Sequence, residues 1–236
     1  MKVGETCVGC GSCVDYCPVG AISLVDGQAQ IDQDECVECG VCLRAQACPV
    51  EALYQPELTW PRVLRSQFSD PVAEHPLTGV RGRGTAEMKT NDVTGRFKLG
   101  FAGIGIEVGR PGIGTRLREV EKIYREIVAL NVQFEADNPV RGLIDESDPT
   151  RFKSDVLDEK VLSAIIEFIV PTSRVPEVLA RIKEVSQRIN TVISICLIDR
   201  VSPDGKMPNY QLALENGYSP SINAKVNAGL GKPLAL

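Results

Sequence analysis

The chain has 236 residues, 43% of them hydrophobic, with 26 Lys and Arg against 31 Asp and Glu for a net charge of −5. That length allows one large or two small domains with room for a real core. The acidic balance offers no surplus for nucleic acid, and no run approaches the roughly eighteen apolar residues of a membrane span.

Eight of the nine cysteines lie in the first fifty residues, in two copies of one spacing. The first copy is Cys7, Cys10, Cys13 and Cys17, followed by Pro18; the second is Cys36, Cys39, Cys42 and Cys48, followed by Pro49. Two-residue gaps let a turning backbone present three thiols to one cage while its amides face inward. Gly9, Gly11, Ser12 and Gly40 let the chain wrap closely. Both copies end in Cys-Pro-Val-x-Ala, which predicts a loop passing into a short helix; proline there fixes φ and removes a donor. Structural zinc needs only two Cys-x-x-Cys pairs per ion and no third thiol in step. Disulfides fit poorly in a chain without an export pattern.

These motifs resemble those of bacterial two-cluster ferredoxins and of the ferredoxin-like modules of larger oxidoreductases, over residues 1–55. The resemblance implies two [4Fe–4S] clusters, with the fourth cysteine of each run ligating the other cluster. Carried over by position, cluster 1 takes Cys7, Cys10, Cys13 and Cys48, and cluster 2 takes Cys36, Cys39, Cys42 and Cys17. One departure is that five residues separate Cys42 from Cys48; the extra residues within 43–47 are expected to bulge outward and leave the thiol reachable. Asp15, Glu35 and Glu38 lie near the ligands and should disfavour added electrons. Met-Lys-Val-Gly-Glu-Thr leads straight into the first thiol with no leader pattern, so the expected setting is cytoplasmic and anaerobic.

Residues 56–93 read as an extended connector, rich in proline and ending in glycines and arginines. It serves either as a solvated tether or as an arm on a partner subunit, with Trp60 and Phe68 as anchors and Arg81 and Arg83 available to an anion. From Arg96 to Val108 alternation predicts a strand, with Gly103 and Gly105 marking a bulge or a close backbone approach. A turn at 109–115 follows, and Thr115 is suited to cap a helix over Arg116–Leu130. Val132–Phe134 is extended, 145–158 a polar loop, and Val161–Val170 a strongly apolar strand. A helix begins near Pro176 with Val178, Leu179, Ile182, Val185 and Ile189 as its stripe. Thr191–Val201 is the last strand, and 203–236 reads as an extended tail.

The order strand–helix–strand, strand–helix–strand over 94–202 predicts the α+β βαββαβ arrangement called ferredoxin-like, with both helices on one face of an antiparallel sheet. Within it, Arg110-Pro-Gly-Ile-Gly-Thr between first strand and first helix resembles ACT-type regulatory domains, which implies a small-ligand site at a subunit interface and a possible homo-oligomer; Gly109 stands where that family often has Asp. The turn lacks the Gly-Lys-Ser/Thr ending of a P-loop, leaving structural packing or a small-anion site at the helix start. Cys196 is expected in the core, His75 on a surface loop, and Glu107, Glu167 and Asp199 on a solvent face or sheet edge. With one histidine, no Ser–His–Asp or Cys–His constellation is proposed, and no catalytic site of the chain's own is expected. The functional expectation is single-electron transfer, as the iron–sulfur subunit of an oxidoreductase passing electrons to a catalytic partner. The alternatives are a stand-alone ferredoxin with a dimerisation domain, or a redox-linked sensor.

Overall fold

The computed structural model describes residues 1–82, 85, 97–110 and 112–219. Arg83, the strand start at Arg96, Pro111 and the tail beyond residue 219 lie outside the described residues.

The cysteine-bearing segment is framed by two small antiparallel pairs. Strand β1 (Lys2–Val3) pairs with β4 (Leu53–Tyr54), closing the segment end to end, and β2 (Ile22–Val25) pairs with β3 (Gln28–Ile31). The β2–β3 hairpin turns on Asp26 and Gly27, with φ of 50° and 75°, the Asp-Gly pair that a two-residue hairpin turn favours. Helix α1 (Val41–Arg44) leads into the longer gap of the second cysteine run. The predicted short helices after each Cys-Pro are absent: the chain turns and enters β2 after Ala21 and β4 after Ala52.

The expected connector is not extended throughout. Helix α2 (Val63–Ser69) stands in it, and Phe68, expected to anchor a partner, is 1% exposed inside the chain's own core. His75, expected on the surface, is buried edge-on against the Phe68 ring at 5.5 Å. Trp60 is half exposed, and its indole N–H donates to Asp155.

The larger half is a four-stranded antiparallel sheet. Its strands are β5 (Phe101–Val108), β7 (Gln133–Phe134), β9 (Ala164–Pro171) and β10 (Ile193–Ile198), in the order β10-β5-β9-β7. Between them run α3 (Leu117–Val128) and α4 (Val175–Ser186), and a separate pair, β6 (Thr115–Arg116) with β8 (Lys160–Val161). The register sets Ala102 against Val170, Ile104 against Phe168, Ile106 against Ile166 and Val108 against Ala164. All eight therefore share one face, and α3 and α4 bury their stripes (Leu117, Val120, Ile123, Ile127; Val178, Leu179, Ile182, Val185) in the same core. Each such aliphatic side chain contributes about 1.5–3 kcal/mol by leaving water.

Several expectations change on the outer sheet face. The register through Gly103 and Gly105 is continuous, so there is no bulge. Instead the Phe97 ring approaches so closely that a Cβ at position 103 would lie 2.2 Å from it. Cys196 falls on the exposed phase of β10, because the alternation points Ile195 and Leu197 toward the core instead. Glu167, expected near solvent, is 2% exposed and accepts from Asn138 Nδ2 at 2.6 Å. The tail forms helix α5 (Pro208–Glu215), whose start is held by Asp199, accepting from Asn209 Nδ2 at 2.9 Å and the Tyr210 N–H at 3.0 Å.

Candidate metal centres

Each of two small hollows in the first 55 residues is ringed by four thiols. Cys7, Cys10, Cys13 and Cys48 line the first; Cys17, Cys36, Cys39 and Cys42 line the second. Every predicted ligand thus lies at a hollow, and in each the fourth thiol comes from the other cysteine run. The remaining lining is mostly aliphatic, with Val3, Val8, Ala29, Val50 and Leu53 at the first hollow and Val19, Ala21, Ile22, Ile31 and Val37 at the second, where Glu38 and Met1 also stand. Among the described residues, no three His, Cys, Asp or Glu side chains converge on a single-ion position. Thiols spaced around a hollow fit a cage-shaped cluster with one sulfur ligand per iron.

The shared Cys-Pro-Val-x-Ala ending has a structural meaning. The Ala21 amide donates to Cys17 Sγ at 3.1 Å, and the Ala52 amide to Cys48 Sγ at 3.2 Å. Ala29 adds a longer contact to Cys7 Sγ at 3.4 Å. Donors aimed at a sulfur favour its more negative state. Glycine in one copy faces glutamate in the other. Gly9 (φ 67°) corresponds to Glu38 (φ 53°), and Gly20 (φ 66°) to Glu51 (φ 50°). A glutamate in left-handed backbone is strained; at Glu38 the strain is offset by ion pairing. Its carboxylate, fully buried, accepts from Arg62 Nη2 at 2.6 Å and Nε at 2.9 Å and meets the Met1 amino group. Between Cys42 and Cys48, Leu43, Arg44 and Gln46 are exposed while Cys48 turns back to the first hollow.

The two sites differ electrostatically. Burial pushes the thiols of Cys36, Cys39 and Cys42 up, Cys42 to about 11. Cys13 is also raised by burial, whereas the Ser12 hydroxyl and amide lower exposed Cys10. Among the described residues, arginines gather at the second site. Arg65 Nη1 donates to the Cys36 carbonyl at 2.8 Å and to those of Gln33 and Asp34 at 3.0 and 2.9 Å, and Arg44 Nη2 donates to the Cys39 carbonyl. Glu35 is likewise engaged, by Lys160 and Arg116. Of the three carboxylates expected to oppose added electrons, two are therefore paired with cations.

Arg65, Arg116 and Lys160 also join the halves. Arg65 bridges to Glu159, and Arg116 donates to Asp34 at 2.7 Å. Nothing in the sequence near Arg65 marks this role, since its partners are backbone carbonyls and one distant carboxylate. Thr115 does not cap α3; it pairs with Val161 in the β6–β8 ladder. The Leu117 and Arg118 amides are already engaged by the carbonyls of Glu159 and Leu157 at 3.0 and 2.9 Å, so two donors expected to face an anion there are occupied.

The description "4Fe-4S dicluster domain" matches residues 6–52. A ferredoxin of Alicyclobacillus acidocaldarius is 43% identical over 57 residues, 23% of this chain and 70% of the relative. Pyruvate synthase subunit PorD of Methanothermobacter marburgensis is 41% identical over 49 residues, 21% of this chain and 54% of the relative. A subunit of the ion-translocating oxidoreductase complex of Methanosarcina acetivorans is 43% identical over 47 residues, 20% of this chain but 17% of the relative. Through its first quarter the chain belongs to the dicluster ferredoxin family. That segment is an electron-transfer iron–sulfur domain for two [4Fe–4S] clusters. Among the described residues no helix is long and apolar enough to cross a membrane.

Proposed function

We propose that this protein is the ferredoxin-like subunit of an oxidoreductase, relaying single electrons for a catalytic partner. Cys7, Cys10, Cys13 and Cys48 would hold one cluster, and Cys36, Cys39, Cys42 and Cys17 the other. The observation that carries the assignment is the sorting of eight thiols into two rings of four, with Cys17 and Cys48 exchanged between the runs. When bound, the clusters supply reversible one-electron oxidation and reduction. The chain's own residues position the sulfurs, donate amides to Cys17 and Cys48, and shield the sites with aliphatic side chains. Two relatives named as subunits of larger oxidoreductases support the subunit reading. Anaerobic purification under native conditions tests it: recovery with a flavin- or metal-containing partner is expected, and a stable lone chain in native extracts would count against it.

A second reading rests on one contact. The glycine-rich turn lies against Val19, a residue lining the second hollow: a Cβ at Gly114 would sit 3.7 Å from Val19 Cγ1. An ACT-like half binding a small molecule at that turn would then act on the second site. The sheet order supports that shape, while Gly109 in place of the usual Asp departs from it. Titration calorimetry against amino acids and nucleotides tests it, and no heat with either class would remove it.

A further inference from the structure

The two thiol rings differ in what covers them. The second ring is tied to the rest of the chain, while its fourth thiol, Cys17, is half-buried. Cys36, Cys39 and Cys42 are buried, Val19 packs near Gly114, and Arg65, Lys160 and Arg116 clamp residues 34–36 to the C-terminal half. Asp70, just after α2, holds Arg44 at 2.9 Å, 3.4 Å from where a Gly40 Cβ would be. The first ring is the more exposed of the two, although its Cys13 is buried. Cys10 is exposed, and Val8 and Val50, which line this hollow, are 64% and 37% exposed. Leu24, 47% exposed, lies over Gly11, with its Cδ1 3.2 Å from where a Cβ there would be.

Charge surrounds this apolar face asymmetrically. Glu5 precedes Cys7 by two residues and Glu51 sits between lining residues Val50 and Ala52. Asp26 adjoins Gly27, whose carbonyl would lie 1.8 Å from a Cβ at Gly9. All three carboxylates are exposed, and the nearby basic residue in sequence is Lys2. No charged side chain lines the first hollow.

We propose that this protein takes up electrons through one face only, the Val8–Leu24–Val50 surface over the first thiol ring. Its occupant is a protein redox partner presenting an apolar contact ringed by lysine or arginine at its own electron-carrying centre. One electron would leave the partner's centre, oxidising it, and would reduce the cluster that Cys7, Cys10, Cys13 and Cys48 would hold; no proton or bond is exchanged. Complementary charge speeds such an encounter and is screened by salt. This proposal rests on the ligand assignment above.

The test uses the full chain, loaded anaerobically, with the paramagnetic trication hexaamminechromium(III) as probe. Proton NMR signals of the cysteine β-methylenes are assigned by selective labelling. At low ionic strength the probe is expected to broaden the signals of Cys7, Cys10, Cys13 and Cys48 and to spare those of Cys36, Cys39, Cys42 and Cys17. Asp26→Asn with Glu51→Gln should weaken this broadening at least about threefold, as should high salt, while Glu146→Gln, an exposed carboxylate of the C-terminal half, should not. The same double substitution should slow reduction by a lysine-rimmed ferredoxin reductase by a similar factor. Equal broadening of both rings, or of the second alone, in a sample holding about eight irons per chain would overturn the single port and leave the ligand assignment standing. Signals that sort the eight cysteines into different sets would overturn the assignment, and the port with it.

Discussion

Arg65 donates to the carbonyl of Cys36 at 2.8 Å while its opposite edge meets Glu159. One buried guanidinium therefore ties a ligand loop to the strand-and-helix half. Two further carbonyls, of Gln33 and Asp34, complete its shell, so the cation is satisfied although 4% exposed.

Arg65→Ala strands Glu159 and the carbonyls of Asp34 and Cys36 at a largely buried seam, while that of Gln33 still accepts from Arg62 at 2.8 Å. Breaking such a pair costs on the order of 3–5 kcal/mol, read as a lower midpoint in denaturant unfolding. Arg65→Lys should recover part of this, because an ammonium cannot span the same fork. A loss below about 1 kcal/mol, the range of surface pairs, would show that the seam is not held this way.

Gly9→Ala should destroy the first site selectively. The backbone there has φ of 67°, and the added carbon would fall 1.8 Å from the Gly27 carbonyl oxygen. The hairpin turn and the first cysteine loop cannot both keep their places. About half the iron should be lost, with the second site retained; full iron content in the variant would contradict the geometry.

Cys17→Ser tests the exchange of fourth ligands. If Cys17 belongs with Cys36, Cys39 and Cys42, the substitution perturbs the second cluster and leaves the first, three of whose four ligands (Cys7, Cys10 and Cys13) are Cys17's own sequence neighbours. Cys48→Ser should do the converse. EPR of each variant combined with Cys10→Ser or Cys39→Ser separates the two patterns, and damage confined to the mutated cysteine's own run would reject the exchange.

His75 gives a pH dependence of defined sign. Burial pushes its imidazolium down to about 4, and Nδ1 accepts the Leu77 amide at 3.3 Å. The folded value lies below the unfolded value of about 6.5, so the unfolded chain binds the proton more tightly. The contribution is complete above pH 6.5 and is lost as pH falls toward 4, amounting to at most about 3 kcal/mol. His75→Gln should flatten the stability profile across that window; an unchanged slope would show that other groups set it.

How much of this was legible in the sequence depends on where the partners lie. The two cysteine runs were legible because their spacing is local and repeats, whereas the exchange of Cys17 and Cys48 between them came only from the resemblance to two-cluster ferredoxins. The strand and helix bodies of the larger half were legible because Ile104–Val108 and Val178–Val185 carry strong periodic stripes. Helix α2 was obscured by its shortness and by flanking prolines, with only Leu64 and Phe68 one turn apart to signal a buried face. The placement of Cys196 turned on one step of register: in a strand that is half covered, a neighbouring isoleucine says nothing about the face a cysteine takes. Glu38 and Arg65 were invisible for a different reason, since the groups that justify burying them lie 24 to 94 residues away.

Iron and acid-labile sulfide analysis of the anaerobically purified full chain, with EPR of the dithionite-reduced sample, tests the central claim most directly. The account predicts about eight irons and eight sulfides per chain and a spectrum of two magnetically interacting reduced clusters. Zinc in place of iron, or about four irons with a single non-interacting signal, would contradict it.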